Sequence, residues 1–487
     1  MVGITSFGGY IPRLRLSRKA IVDANSWQNS ALKAYAKAER AICNWDEDSL
    51  TMAVEAGRDC LSGQDRAGVK AVYFASTTFP FDDRLNAGIA AEALNLGSDI
   101  TTLDVSASLR AGTSGLIAAL KTVQAGGGPL LYLASDKRRT KAASQQELLY
   151  GDGAVALLLG DKDPIAKFVA SHSEAIDFVD HYRGHGSDFD YAWEERWIRD
   201  EGYAKIVPPA LAALLEKAKL KPGEITHFCM PVTLRGVAVS VAKKLGVGET
   251  AVRDNLDGQC GDTGTSHPLV MLVHALQDAK PGDKILIASF GQGCDAMVFE
   301  ATAALPKLER RSGIKGALAR RKPETNYNKY LSFNNLVTTE KGLRSEVDKW
   351  TALSTLFRKR GLLTGLIGGK CTKCGTVQIP KSNICVNPNC NAIHSQEDHP
   401  FSDIPGRVNS YTADLLTFSP DPPAHYGMVQ FAEGGRMMVD FTDVDQGAIQ
   451  VGMPMRMVFR IKEHDAQRNF TKYFWKAAPA AQTAKEN

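Results

Sequence analysis

Residues 113–135 read TSGLIAALKTVQAGGGPLLYLAS. Small residues open a helix, on which Leu116, Leu120 and Val123 keep one face. A Gly-rich turn follows, and then an apolar run with no polar alternation, which predicts a strand buried on both faces. Residues 266–289 read SHPLVMLVHALQDAKPGDKILIAS and repeat that order. Here Leu269, Leu272, Val273 and Leu276 make the face. Each unit runs on through a Gly-containing turn into another strand, GDGAVALLLG at 151–160 and GQGCDAMVFE at 291–300. Self-similarity at this distance predicts a duplicated α/β core.

Further short apolar runs alternate with amphipathic stretches across residues 1–305, in keeping with that core. The texture then changes. Residues 307–322 hold seven Lys or Arg against one acid, Glu309, and read as a solvated linker; a phosphate-contacting strip is the alternative. From Arg407 onward five short strands are separated by Gly, Pro and Asp turns, which suits a small β-barrel. Met455, Met457, Phe459 and Ile461 alternate with Arg456, Val458, Arg460 and Lys462, a half-buried strand. The Ala-rich tail is expected to fray.

Across 487 residues, 58 Lys and Arg stand against 54 Asp and Glu, a balance of +4. So weak a balance argues against a wholesale nucleic-acid or membrane-surface binder. No apolar stretch is long enough to span a bilayer. The first ten residues lack the basic start and apolar run of a signal peptide. Nine cysteines are sparse and odd in number, which points away from a disulfide framework and toward a reducing, cytoplasmic setting.

Four of the nine cluster. Cys371, Cys374, Cys385 and Cys390 form C-x2-C, ten residues, then C-x4-C. Paired cysteines in tight turns can place four thiolates around Zn2+, and four protein ligands leave no open position, so the metal is expected to be structural. A redox C-x2-C is the alternative, which the second pair disfavours. His394 and His399 lie close enough in sequence to replace a ligand.

Several segments carry a family resemblance. They are GITSFGGYIPR (3–13), WDEDSLTMAVEA (45–56), DVSASLRAGT (104–113), GDGAVALLLG (151–160), VAKKL (241–245), GDTG (261–264) and GDKILIASFGQG (282–293). Residues 1–305 resemble the thiolase superfamily, within it the 3-hydroxy-3-methylglutaryl-CoA synthase branch. Residues 345–477 resemble the zinc-ribbon and OB-fold module (DUF35 type) that accompanies such enzymes. The resemblance implies a duplicated five-layer α/β core with a C-terminal zinc ribbon and small OB-type barrel. The corresponding divisions are 1–165 and 166–305 for the two halves, 306–345 for the linker, 346–400 for a helix and the ribbon, 401–477 for the barrel and 478–487 for the tail.

The catalytic positions depart from the family. Its cysteine nucleophile, in a motif like ACxAGT, falls on Leu109, with Ser108 beside it. Its histidine, in FHxP, falls on Cys229 in FCMP; its asparagine, in GNT, on Asp262 in GDT; its glutamate on Thr77. Leucine cannot form an acyl-enzyme. Binding an acyl-CoA and stabilising an enolate remain open to such a chain, since that needs a base and an oxyanion site. Cys229, Asp262 and His267 are the catalytic candidates; packing, helix capping and a satisfied histidine are their structural alternatives. Cys260 and Cys294 lie in turns that the resemblance places near the same pocket.

Three functions follow. The first is an aldol- or Claisen-type enzyme on a coenzyme A thioester, with no acyl-cysteine. The second is a catalytically degenerate scaffold that passes CoA substrates to a separate thiolase subunit. The third, a nucleic-acid binder using the barrel aromatics, is disfavoured by the charge and by the core. The resemblance also implies a homodimer.

Overall fold

The computed structural model describes residues 1–480, in two compact units. The seven residues after Ala480, most of the Ala-rich tail, lie outside the described residues.

The first unit is Met1–Asn44, Asp48–Ala90 and Leu96–Val337. Its first half holds β1 (Gly3–Tyr10), β2 (Ala71–Ala75), β3 (Thr101–Val105), β4 (Leu130–Asp136) and β5 (Gly153–Gly160). Its second half holds β6 (Ala166–Ala175), β7 (His227–Cys229), β8 (Lys284–Phe290) and β9 (Gly293–Ala301). The pairings match one for one. β1 runs antiparallel to β5, β5 antiparallel to β4, and β4 parallel to β2, with β3 outermost. β6 runs antiparallel to β9, β9 antiparallel to β8, and β8 parallel to β7. A parallel bridge from Phe228 to Val252 stands in the fifth place. β1 meets β6 at Gly3 and Ile4, joining the halves. The sequence repeat is thus a structural duplication.

Alternation along the strands sorts the layers. Ile285, Ile287, Met297 and Phe299 face a core shared with Tyr132, Leu157 and two helices, α2 (Ala111–Gln124) and α4 (His267–Leu276). Leu286, Ala288, Ala296 and Val298 point the other way, onto α3 (Ala204–Ala218). On the first half α1 (Ser49–Leu61) packs against β1, β5 and β4. The order is outer helix, sheet, central helices, sheet, outer helix. Each fully buried Leu or Ile contributes roughly 1.5–3 kcal/mol. The starts of the central helices touch closely: a Cβ on Gly112, in the first turn of α2, would lie 2.0 Å from the carbonyl oxygen of Thr265, just before α4, so only glycine fits there. Asp48 opens α1 with a reciprocal cap, accepting from the Thr51 N–H while the Thr51 hydroxyl accepts from the Asp48 N–H.

The solvated-linker reading of residues 307–322 is corrected. Arg311 is buried, donating to Ser6 Oγ and the Ser62 carbonyl. Arg321 pairs with Glu39, and Lys315 with Asp278. Lys322–Glu324 adds a parallel strand beside Leu14–Ser17. Much of the basic stretch is therefore committed to protein acceptors rather than to a phosphate. Beyond it, Tyr327 and Tyr330 enter a buried polar cluster. The Tyr327 hydroxyl donates to Glu147, and the Arg40 guanidinium donates to the Glu147 carbonyl. Burial pushes the Glu147 carboxyl up to about 7, against hydrogen bonds from Ala143 and Tyr327 and the charge of Arg40. Folding therefore favours the protonated acid. Stability from this group is complete below the unfolded value of 4.5 and falls as pH rises toward 7. Urea unfolding at pH 5 and pH 8 should show wild type losing about 2 kcal/mol more across that interval than Glu147→Gln.

The second unit is Trp45–Glu47, Ala91–Asn95 and Thr338–Asn487. Short helices, Leu353–Arg358 and Arg360–Leu363, precede a three-stranded ribbon of Ile367–Cys371, Val377–Gln378 and Gln396–Pro400. The barrel follows as β10 (Gly406–Asp414), β11 (Ala424–Phe431), β12 (Arg436–Asp440), β13 (Pro454–Asp465) and β14 (Phe470–Pro479). Its order is β12-β11-β10-β13-β14, and a bridge from Phe441 to Ala477 closes it. β14 runs to Pro479, so the chain is still in the sheet where fraying is expected to begin.

Along β13 Met455, Met457 and Phe459 are buried as the alternation requires, but Val458 and Arg460, expected to face outward, are wholly buried too, and Ile461 is only half-buried; an apolar Val458 suits the core, whereas Arg460 does not. Charge explains the exception. Arg460 pairs with Glu47 at 3.0 Å and Asp443 at 3.1 Å, while Lys476 pairs with Asp46 at 2.8 Å. The Lys476 ammonium also lies 4.0 Å from the centre of the Trp45 ring. Burial draws Lys476 below the usual lysine range, and Asp46 opposes that shift. No helix among the described residues is long and apolar enough to cross a membrane.

Candidate functional site

β3 ends at Val105, and five residues, 106–110, lead from it into α2. Between them Ala107 takes a left-handed conformation, φ 75°, which a Cβ-bearing residue adopts at a cost. This elbow forms one wall of a cleft of about 280 Å³. The cleft is lined by Ser106, Ala107, Ser108 and Leu109, by Gly291 and Gln292 from the β8–β9 turn, by Thr77, and by residues 180–183 with Asp190.

Two buried carboxylates hold its walls. Asp295 accepts from Arg110 Nη1, Thr113 Oγ1 and Ser114 Oγ, and Arg110 also donates to the carbonyls of Gly291 and Gln292. The elbow is thereby tied to the opposite turn. Asp136 accepts from Ser76 Oγ, from the Thr77 N–H and hydroxyl, from Thr78 Oγ1 and from the Thr265 N–H. Thr77, on which the resemblance puts the family glutamate, thus has its hydroxyl engaged with Asp136.

The remaining wall is a hairpin, His181–Tyr182 paired with Tyr191–Ala192. His181 Nδ1 lies 2.9 Å from Asp180 Oδ2. Asp190 bridges Arg138 at 2.7 Å and Arg183 at 2.9 Å, and Arg183 also donates to the Thr77 carbonyl. Those charges hold the Asp190 carboxyl below its usual range even though burial pushes it up.

The sequence candidates are placed differently from the expectation. Leu109 stands in the cleft, but Cys229, Asp262 and His267 do not line it. Cys229 is fully buried with its thiol directed at the Met271 carbonyl, 3.6 Å away, and burial pushes that thiol up to about 12. Asp262 makes a tight turn, its carboxylate accepting from the Gly264 N–H at 2.8 Å. His267 is buried with both ring nitrogens engaged: Nδ1 accepts from the Thr263 N–H, and Nε2 donates to the Asn255 carbonyl at 2.7 Å. Its proton is held by the fold. Cys260 and Cys294 are buried outside the cleft, and burial pushes each up to about 12. Sequence reading passed over Asp180, His181, Arg183 and Asp190. The signal was the dense run of His, Asp, Tyr and Arg at 180–191, between a strand and a helix.

In the ribbon, the sulfurs of Cys371, Cys374, Cys385 and Cys390 lie within 4.8 Å of one another. Cys374 and Cys385 are 3.5 Å apart, and Cys371 and Cys390 3.9 Å. A tetrahedron with Zn–S near 2.3 Å has sulfur–sulfur edges of about 3.8 Å, so the set fits the metal. Gly375 turns the first knuckle at φ 73°, and its N–H donates to the Cys371 carbonyl. The Ser395 hydroxyl helps bring the Cys371 thiol down to about 6. His394 and His399 are not in the group, and His399 instead faces Glu433.

Two family descriptions match the chain. "3-Oxoacyl-[acyl-carrier-protein (ACP)] synthase III C terminal" covers residues 215–300, and "ChsH2, C-terminal OB-fold domain" covers residues 399–460. Hydroxymethylglutaryl-CoA synthase of Aeropyrum pernix is 30% identical over 353 residues, 70% of this chain and 96% of that protein. The Caldivirga maquilingensis protein of the same name is 28% identical over 69% of this chain and 98% of its own length. Among solved structures, an HMG-CoA synthase complexed with CoA superposes with a TM-score of 0.59 at 16% identity, covering 72% of this chain and 95% of the other. The 3-oxoacyl-(acyl carrier protein) synthase III of Pseudomonas aeruginosa gives 0.55 at 19%, over 62% and 98%. These likenesses agree with the duplicated core, and the Aeropyrum match extends over nearly the whole of that relative: the chain belongs to the hydroxymethylglutaryl-CoA synthase family, with a C-terminal OB-fold domain in addition.

Proposed function

We propose that this protein joins or cleaves a carbon–carbon bond beside a coenzyme A thioester, in an aldol or Claisen manner, without an acyl-cysteine. One observation carries the reading: among the described residues, Leu109 lines the cleft and no cysteine does. The buried thiols of Cys229, Cys260 and Cys294 are pushed up by burial, which disfavours the thiolate a nucleophile needs. Family membership supports acyl-CoA as the ligand. The polar elbow and the Gly291–Gln292 turn suit a thioester oxygen that gains charge as an enolate forms. Zn2+ on Cys371, Cys374, Cys385 and Cys390 would hold the ribbon in shape, with no ligand position left for substrate. A homodimer is part of the proposal, carried from the family.

The scaffold reading draws on a different observation. His267, a candidate base, has both nitrogens committed to the fold. Purified protein given acetyl-CoA together with acetoacetyl-CoA separates the two. A new C–C product, or cleavage of a 3-hydroxyacyl-CoA, is the expected result. CoA binding with turnover only on adding a separate thiolase would overturn the enzyme reading in favour of the scaffold.

A further inference from the structure

We propose that Asp180 and His181 form the proton-transfer device of the cleft, with His181 Nε2 as the base that acts on the bound thioester. This deepens the reading above and rests on it. The pair stands on a hairpin, far in sequence from the positions at which the family resemblance places catalytic groups.

Three observations carry the inference. The first is location: among the described residues, His181 is the one histidine lining the cleft that also holds Leu109, Ser106 and Ser108. His267 is tied at both nitrogens, His172 faces Glu174, and His227 faces Asp283, all outside the cleft. The second is polarity. An ionised carboxylate only accepts, so the 2.9 Å contact with Asp180 Oδ2 assigns the proton to Nδ1 and leaves the Nε2 lone pair available. The third is an unbalanced carboxylate. Asp180 Oδ1 is buried without a hydrogen-bond donor, although Oδ2 is engaged. A carboxylate with one oxygen so poorly solvated gains when its neighbour becomes an imidazolium, the state produced when Nε2 takes a proton.

The hairpin fixes the pair. The Trp193 N–H donates to the Asp180 carbonyl at 2.9 Å, and the two hairpin strands pair across Tyr182 and Tyr191. The charges around it are Asp180, Asp190, Arg183 and Arg138, and Asp190 is already satisfied by the two arginines.

The step balances without a co-reactant. His181 Nε2 removes a proton from the α-carbon of the acyl thioester. The C–H electron pair forms the new bond to the carbonyl carbon of the acceptor. The acceptor oxygen becomes an alkoxide and takes the proton back from Nε2. Cleavage is the same sequence reversed. His181 is the catalytic residue, and Asp180 is a positioning residue.

The test follows α-proton exchange of acetyl-CoA in D2O by NMR, alongside product formation. Wild type is expected to exchange. His181→Gln should lose about 10²–10⁴-fold in rate, with thioester binding and the circular dichroism spectrum unchanged. Asp180→Asn should lower kcat with KM unchanged, and Asp180→Glu should recover part of the loss. Exchange and turnover within threefold of wild type in His181→Gln would overturn the dyad and leave the proposed function standing. A wild type that binds the thioester but neither exchanges nor turns over would overturn the proposed function, and this inference with it.

Discussion

Cys371→Ser is expected to empty the ribbon of zinc and to unfold the three strands that carry the four cysteines. The strands are short, the apolar cluster around the cysteines consists of Cys371, Cys385 and Ala392 with Cys390 against it, and Val377 and Ile379 are the other buried apolar side chains of residues 367–400. So small a core cannot hold the ribbon alone. Structural zinc contributes about 10–16 kcal/mol of apparent binding free energy in small domains, which here is folding free energy of the ribbon. Elemental analysis should find one zinc per wild-type chain and none in the variant. Hydrogen exchange should show residues 367–400 losing protection while β4 and β5 keep theirs. A chelator should reproduce the pattern in wild type. Full zinc content in the variant, or a protected ribbon after chelation, would contradict a structural metal site.

The second large effect is expected at Asp46. Asp46→Ala removes the direct ion partner of Lys476, whose side chain is almost fully buried. Removing one member of a buried ion pair costs about 3–5 kcal/mol, because the other charge remains desolvated. The Trp45 ring offsets only part of that, since a cation–π contact is worth roughly 0.5–2 kcal/mol. Removing both charges, as Asp46→Leu with Lys476→Met, should cost less than the single substitution, because no bare ion is left inside. Calorimetry of the three proteins decides. A double variant as unstable as Asp46→Ala would show that the loss does not come from a bare Lys476 charge but from packing or from the Arg460 contact with Asp46 at 3.7 Å.

These residues also show how much of the protein is legible in its sequence. The duplicated core could be read because each repeat is local: a helix face, a turn and a doubly buried strand lie within about 25 residues of one another. The zinc ligands could be read because thiolate spacing is itself the geometry. Arg460 and Lys476 could not. Each sits in a strand whose alternation points outward, and what reverses them is an acidic pair some 400 residues earlier in the chain. The basic stretch at 307–322 misled for a similar reason: its partners, Ser6, Ser62 and Glu39, are distant in sequence. Of the positions the family motifs pointed to, the structure places Leu109 in the wall of the cleft and Cys229, Asp262 and His267 outside that wall, in a packed core, a tight turn and a pair of internal hydrogen bonds. Asp180 and His181 carry no motif, and only the hairpin brings them to the elbow.

The proposed chemistry requires that no acyl-cysteine forms. Intact-mass spectrometry after incubation with acetyl-CoA, quenched at short times, tests that most directly. The expected result is a protein of unchanged mass under conditions in which the thioester binds. An acetyl adduct mapped to any of Cys229, Cys260 or Cys294 would contradict the account.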